Sequence, residues 1–432
     1  MSGLRIVRQS DLSSRDRTAL FERGHSFDHL MADVRAIMEA VRTEGDVALR
    51  GYTERFDGAR LDSLRVSPGE FAKAQQSIGP AVREALVSQV RAVRTFHQVQ
   101  LPHEEAVETA PGVCVWREWR AIERVGLYVP GGRGAYPSSV VMLGVPAAIA
   151  GCPQVVMCTP PDADGTIPAA TLVAAQLVGI QQVFKLGGAQ AIAAMAYGTE
   201  SVPWVDKLFG AGNAYVTAAK LLAFPERDLD APAGPSELLI LADAGAEPAW
   251  IAADILSDVE HGPDSPAVVV TTSPELAEQI ARQVEQQLLS LPREHVARMA
   301  LDQWGLIVLT DSLDQAIDLA NEYAPEHLEI MTHRPREVLR RIQHAGSIFL
   351  GPYAPNAAGD YATGTNHVLP TARYARTFSP VSVNSFGRML QCQEVSAEGL
   401  AAIAPTVQQL ARAETLEGHA RAVEIRLRRD PA

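Results

Sequence analysis

The chain has 432 residues, enough for roughly two to four domains, and its 47% hydrophobic and 21% charged content allows a core of ordinary size. A net charge of −13 argues against nucleic acid as a natural partner, because a polyanion would be repelled. The four cysteines, Cys114, Cys152, Cys158 and Cys392, have no CxxC spacing, which argues against a disulfide framework and a cysteine zinc site and suits a reducing cytosol.

The first residues, Met1 to Val7, lack the long apolar run of a signal peptide. Residues 11–50 read as helix, with Val34, Ile37, Met38, Val41 and Val47 near helical spacing before Gly51. Residues 80–97 read as a second amphipathic helix. The pattern then changes. A short apolar strand over 124–129 ends at Pro130-Gly131-Gly132, and helix-like sequence runs on to Ala150. That region, the most apolar in the chain, is broken by Gly144 and Pro146 and is too short to span a bilayer. Strands follow over 155–158, 183–186 and 205–209, the last two leading through Gly187-Gly188-Ala189-Gln190 and Gly210-Ala211-Gly212-Asn213 into helices.

A second alternating block runs strand 237–242, helix 248–259, strand 267–271, helix 274–289, strand 305–310 and helix 313–323. Further strands read over 328–331 and 347–350, and a helical tail over 394–428. Alternation of this kind implies βαβ units and parallel sheets. The expected fold class is therefore α/β: two Rossmann-like but incomplete α/β domains, one inserted in the other, with N- and C-terminal helical extensions. The expected boundaries are a helical extension over 1–25, a larger α/β domain over 26–126 and 237–378, an inserted α/β domain over 127–236, and a helical tail over 379–432.

Three βα turns carry glycine. Glycine lets backbone approach a phosphate, and a helix N-terminus offers free N–H groups, but a tight turn also needs glycine and none of the three matches GxGxxG. Asp258 and His261 sit three apart on a helix and face one side, where both could reach a divalent metal. His261 could equally close a helix that Gly262-Pro263 stops. Glu260 points elsewhere and reads as structural. Glu326 and His327 are adjacent after a helix and a proline, and each is suited to act as an acid or base. Asp360 and His367 lie in a run too rich in Gly, Thr and Asn for a core element. His419 lies in a helix-like stretch as an exposed residue or a ligand. The remaining histidines, His25, His29, His97, His103, His295, His333 and His344, read as structural.

Several long segments resemble the histidinol dehydrogenase family in the same order and at similar spacing. They are Gly126 to Gly132, Gly188 to Ala193, Val205 to Gly210, Pro232 to Glu237, Glu260 to Ser265, Pro325 to Glu329 and Gly359 to Pro370. The likeness runs over nearly the whole chain, to His419 and Ala422. It implies an NAD-dependent, zinc-containing enzyme that oxidises the small molecule L-histidinol to L-histidine through L-histidinaldehyde, closing histidine biosynthesis. It also implies a cytoplasmic homodimer whose C-terminal tail helps complete the neighbour's site, with no membrane partner. By the same resemblance, Glu326 and His327 would be catalytic. Tyr128, Gln190 and Asn213 would contact NAD. Asp258, His261, Asp360 and His419 would hold the metal. Ser236, His367 and Glu414 would bind substrate, together with the metal ligands and His327.

Three positions depart from the family's pattern. Asp258 stands where glutamine is usual; a second carboxylate beside Asp360 would weaken Zn2+ as a Lewis acid and makes Mn2+ an alternative. Ala211 stands where the turn usually has proline, and 384–393 matches poorly. These changes motivate an alternative reading, a related metal- and NAD-dependent dehydrogenase of another polar alcohol such as a dihydroxypropane sulfonate.

Overall fold

A computed structural model describes residues 4–23, 27–131, 134–231 and 234–428. The expectations that touch Met1 to Gly3, His25, Gly132, Pro232 and Ala233 lie outside the described residues. Fourteen strands occur among those described. In chain order they are β1 Arg5–Arg8, β2 Val107–Ala110, β3 Val113–Ala121, β4 Arg124–Tyr128, β5 Gln154–Thr159, β6 Gln182–Lys185 and β7 Lys207–Phe209. They continue with β8 Asp228–Leu229, β9 Leu238–Ala242, β10 Ala267–Thr271, β11 Leu306–Leu309, β12 His327–Met331, β13 Ser347–Leu350 and β14 Gly387–Val395. The chain forms two compact units, one of Met1–Gln100 with Ile122–Phe386 and one of Leu101–Ala121 with Gly387–Ala432.

The first unit is mixed α/β and holds two parallel sheets. The five-stranded sheet has the order β6-β5-β4-β7-β8, so the direction of winding reverses between β4 and β7. In doubly wound sheets such a reversal opens a crevice at the carboxyl ends of the strands. The six-stranded sheet has the order β1-β11-β10-β9-β12-β13. Every residue of β9 (Leu-Leu-Ile-Leu-Ala) and β10 (Ala-Val-Val-Val-Thr) is buried. Such unbroken apolar runs are what a parallel sheet covered on both faces requires. The helix Pro274–Leu288 covers one face with Leu276, Ala277, Ile280, Val284 and Leu288, three and four residues apart. Ser273 caps it by accepting from the Leu276 N–H, and Pro274 opens it at the position where a missing N–H costs nothing.

The ends differ from the sequence reading in detail. Residues 11–50 are not one helix. Helices Ser14–Phe21, Asp28–Glu44 and Asp46–Asp57 replace it, and Gly45 at φ 57° makes the break between the last two. The N-terminal extension begins with β1, which pairs in parallel with β11 at the sheet edge. Four residues with arginine at both ends carry too little periodicity to announce an edge strand.

The second unit is a three-stranded antiparallel sheet, order β14-β3-β2, with helices Ala397–Ala413 and Glu417–Leu427. The tail is therefore strand first and helix after. No helix among the described residues is long and apolar enough to cross a membrane.

Candidate active site

A cavity of about 440 Å³ opens in the first unit. One wall comes from the carboxyl ends of β4 and β7, through Tyr128, Pro130, Gly131 and the turn Ala211-Gly212-Asn213. The facing wall comes from the amino ends of β9 and β12, through Ser236, Glu326 and His327, joined by His261, Asp360 and His367. Segments far apart in sequence thus meet because the two sheets present opposite ends to one space.

Glu326 and His327 start β12, and β9 beside them fixes both. The Glu326 carboxylate accepts the Glu237 N–H at 2.9 Å, while the Glu237 carboxylate accepts the Glu326 N–H at 3.1 Å. The Glu237 carbonyl accepts the His327 N–H and lies 3.2 Å from His327 Nδ1. A carbonyl can only accept, so Nδ1 carries the ring proton and Nε2 keeps a bare lone pair. Nε2 is buried with no hydrogen-bond partner. Burial also holds the imidazole neutral, with its pKa lowered to about 3. The Glu326 carboxyl moves the other way: burial, then the neighbouring Asp258 carboxylate, push it well above the usual carboxylate range.

Asp258 and His261 stand at the end of helix Pro248–Val259, which runs back from β9 to the cavity. The Ser236 hydroxyl donates to Asp258 Oδ1 at 3.0 Å, and His327 Nδ1 lies 3.6 Å from the same oxygen. Oδ2 is buried and unpartnered. Burial raises the Asp258 carboxyl to about 8 and the Asp360 carboxyl to about 6, and lowers the His261 imidazole. Asp360 closes helix Asn356–Tyr361. His367 Nδ1 faces the Asp360 carbonyl at 3.2 Å and its Nε2 lies 3.3 Å from the Ser139 hydroxyl; burial lowers its pKa to about 4. Neutral imidazoles, together with a carboxylate oxygen lacking any donor, suit a divalent cation in donor chemistry. Among the described residues, no group of three His, Cys, Asp or Glu side chains is by itself arranged to hold a metal ion.

On the opposite wall, the Tyr128 hydroxyl accepts the Gly188 N–H at 3.1 Å. Asn213 caps helix Ala214–Ala223, its Oδ1 accepting from Tyr215 and Val216 N–H groups at 3.1 and 3.2 Å. Gly210 has φ 114°, and a Cβ there would overlap the Tyr128 carbonyl. That glycine lets the β7 turn close against β4 at the winding reversal. Ala211, where the family pattern has proline, lines the cavity. Gln190 is buried beside Gly188 and does not line it.

The family model described as histidinol dehydrogenase matches residues 21–427. The chain belongs to the histidinol dehydrogenase family. It is 52% identical over 396 residues to the histidinol dehydrogenase of Xanthomonas axonopodis pv. citri (strain 306), covering 91% of this chain and 92% of that one. It is 45% identical over 424 residues to that of Methanothermobacter thermautotrophicus (strain Delta H), covering 98% and 100%. The crystal structure of histidinol dehydrogenase from Elizabethkingia anophelis superimposes with a TM-score of 0.94 at 41% identity, covering 98% of both chains.

Within this histidinol dehydrogenase fold, the remaining expected residues stand in the second unit. Glu414 ends helix Ala397–Ala413 and is exposed; His419 lies exposed in helix Glu417–Leu427. Glu237 and Arg23 are the positions sequence reasoning passed over. Glu237 lies inside a family-like segment, yet only its carboxylate's exchange with the Glu326 backbone reveals its part. Arg23 carries no sequence signal, since its partner is 214 residues away.

Proposed function

We propose that this chain catalyses the NAD-dependent, four-electron oxidation of L-histidinol to L-histidine through L-histidinaldehyde. The observation that carries this reading is the bare, buried Nε2 of a neutral His327, a residue that lines the cavity beside a Glu326 carboxyl of raised proton affinity. His327 would take the alcohol proton at Nε2, and NAD+, when bound, would supply the hydride acceptor for both oxidations. The fixed Nδ1–H to the Glu237 carbonyl keeps that lone pair pointed at the substrate. Glu326, as carboxylate, would remove a proton from water as its oxygen bonds to the aldehyde carbon, leaving the hydrate anion as the species oxidised in the second half-reaction. Two bases serve two proton removals at one bound substrate.

Asp258, His261, Asp360 and His419 would hold a zinc ion, which when bound supplies a Lewis acid for the substrate's amino and imidazole nitrogens. Mn2+ is the alternative occupant that Asp258 favours. Ser236, His367 and Glu414 would orient the imidazole and amino ends. Tyr128, Gln190 and Asn213 would contact NAD within the inserted domain, residues 127–236, while the larger domain, residues 26–126 and 237–378, would carry the catalytic pair and the metal ligands other than His419. His419 and Glu414 would enter the neighbour's site in a cytoplasmic homodimer. A sulfonate substrate is disfavoured: among the described residues no lysine or arginine lines the cavity, whereas Glu326, Asp264 and Asp360 do.

The test is NADH formation from L-histidinol by metal-reconstituted protein, with L-histidine quantified at the end. Two NADH per histidine, lost on chelation, is the expected result. Absence of turnover with both Zn2+ and Mn2+, in protein that still binds NAD+, would overturn the assignment.

A further inference from the structure

The reciprocal pairing of Glu237 with Glu326 depends on a third group. The Glu237 side chain is 2% exposed and the Arg23 side chain 1% exposed. Arg23 Nε donates to Glu237 Oε2 at 2.6 Å and Nη2 to Oε1 at 3.0 Å, a two-pronged contact that fixes the carboxylate plane. The remaining donors tie the chain just upstream of the catalytic pair to the end of the helix that precedes Arg23. Nη2 donates to the Tyr323 carbonyl at 2.7 Å and Nη1 to the Leu20 carbonyl at 2.6 Å. The guanidinium also lies 3.5 Å from the centre of the Tyr323 ring. Tyr323 ends its helix, and Ala324 then turns the chain at φ 50°, a left-handed conformation uncommon for alanine. Glu326 follows two residues later.

Arg23 therefore grips the Glu326 segment twice. It holds the strained corner before it through the Tyr323 carbonyl, and it holds the carboxylate that receives the Glu326 N–H. We infer that Arg23 is a positioning residue that sets the Glu326 carboxylate through Glu237, and that its loss falls on aldehyde oxidation more than on alcohol oxidation. The asymmetry follows from the contacts. Glu326 meets both the backbone and the carboxylate of Glu237, whereas His327 touches Glu237 at its backbone alone and not at the carboxylate that Arg23 holds. Lysine at position 23 would keep the charge that the buried Glu237 carboxylate needs, but it has no fork and cannot fix the plane. The inference rests on the proposed role of Glu326 as the base that activates water.

The experiment compares the two half-reactions, NADH formed from L-histidinol in the first turnover and from L-histidinaldehyde supplied directly, in Arg23→Lys, Glu326→Gln and the parent protein. Arg23→Lys should lower kcat for aldehyde oxidation by about 10- to 100-fold, the cost of a misplaced reacting group, with KM for aldehyde within about threefold. Alcohol oxidation in the same variant should change by less than about fivefold. A purely structural arginine would lower both rates in proportion to the folded fraction read by circular dichroism, and that outcome overturns the inference. If Glu326→Gln leaves aldehyde oxidation intact, the base assignment itself is wrong. If Glu326→Gln abolishes it and Arg23→Lys does not touch it, only the positioning role is wrong. Should Arg23→Lys fail to fold, Glu237→Gln, which keeps the shape and removes the buried charge, reads the same asymmetry.

Discussion

His327 and Glu237 meet through a ring nitrogen and a backbone carbonyl 3.2 Å apart, so the protein fixes the imidazole tautomer with a group no side-chain substitution can remove. The imidazole is thereby built into the strand pairing of β9 and β12. His327→Gln should lower the rate of alcohol oxidation by about 10²- to 10⁴-fold, the usual worth of a positioned base. NAD+ affinity should stay within about twofold, because the nucleotide is assigned to the opposite wall. Stopped-flow NADH formation and equilibrium NAD+ titration check both parts, and an unchanged rate would remove His327 from the chemistry.

Asp258 has one carboxylate oxygen engaged by Ser236 and one without a partner. If the free oxygen serves the metal, Asp258→Ala should weaken metal binding by at least about 10- to 100-fold, and Asp258→Gln should retain binding while shifting preference from Mn2+ towards Zn2+. Metal content after dialysis against a graded chelator gives the answer. Equal metal retention in all three proteins would show that Asp258 is not a ligand.

Asp57 ends helix Asp46–Asp57 with Oδ2 buried and unpartnered, and burial raises its carboxyl to about 6 from 3.8. A raised acid binds its proton more tightly in the folded state. Folding stability therefore falls as pH rises from about 4 through 6, and the loss is complete above it. The full shift would correspond to about 3 kcal/mol. The side chain is only partly buried, so screening by solvent reduces the expected loss to on the order of 1 kcal/mol. Asp57→Asn should accordingly stabilise the protein at pH 7.5 and leave it unchanged at pH 4, measured by urea unfolding. A destabilised variant at pH 7.5 would contradict the account.

Gly210 has no room for a side chain against the Tyr128 carbonyl and carries φ 114°. Gly210→Ala combines overlap with a disfavoured backbone, and the expected destabilisation exceeds about 4 kcal/mol. Insoluble protein, or soluble protein with a collapsed thermal transition, is the predicted outcome. A variant with normal stability would mean that the turn relaxes away from β4.

The long, periodic elements were legible. Helices Pro248–Val259 and Leu313–Tyr323 and strands Ala267–Thr271 and Ser347–Leu350 have the limits their hydrophobic spacing gives. The gathering of Tyr128, Asn213, Ser236, His261, Glu326, His327, Asp360 and His367 around one cavity was legible only through family resemblance, since spacing along a chain does not say which sheet ends face each other. The strands β2, β3 and β14 escaped notice. β14 is mostly exposed and pairs with β3 from more than 260 residues away, so neither burial alternation nor a hairpin turn announces it. Arg23 is hidden for a related reason: an arginine just after Leu20-Phe21-Glu22, near Arg15 and Arg17, looks like any surface cation until its partner is placed beside it.

The opposed sheet ends around the cavity also give it an electrical polarity. Where the carboxyl ends of β4 and β7 face the space, the helices Pro137–Ala150 and Ala214–Ala223 point their amino ends at it. Where the amino ends of β9 and β12 face it, helices Pro248–Val259 and Asn356–Tyr361 point their carboxyl ends. Helix dipoles therefore favour anions on the first wall and cations on the second. A dinucleotide's phosphates and a divalent ion would be drawn to opposite sides of one chamber, leaving the substrate the gap between them.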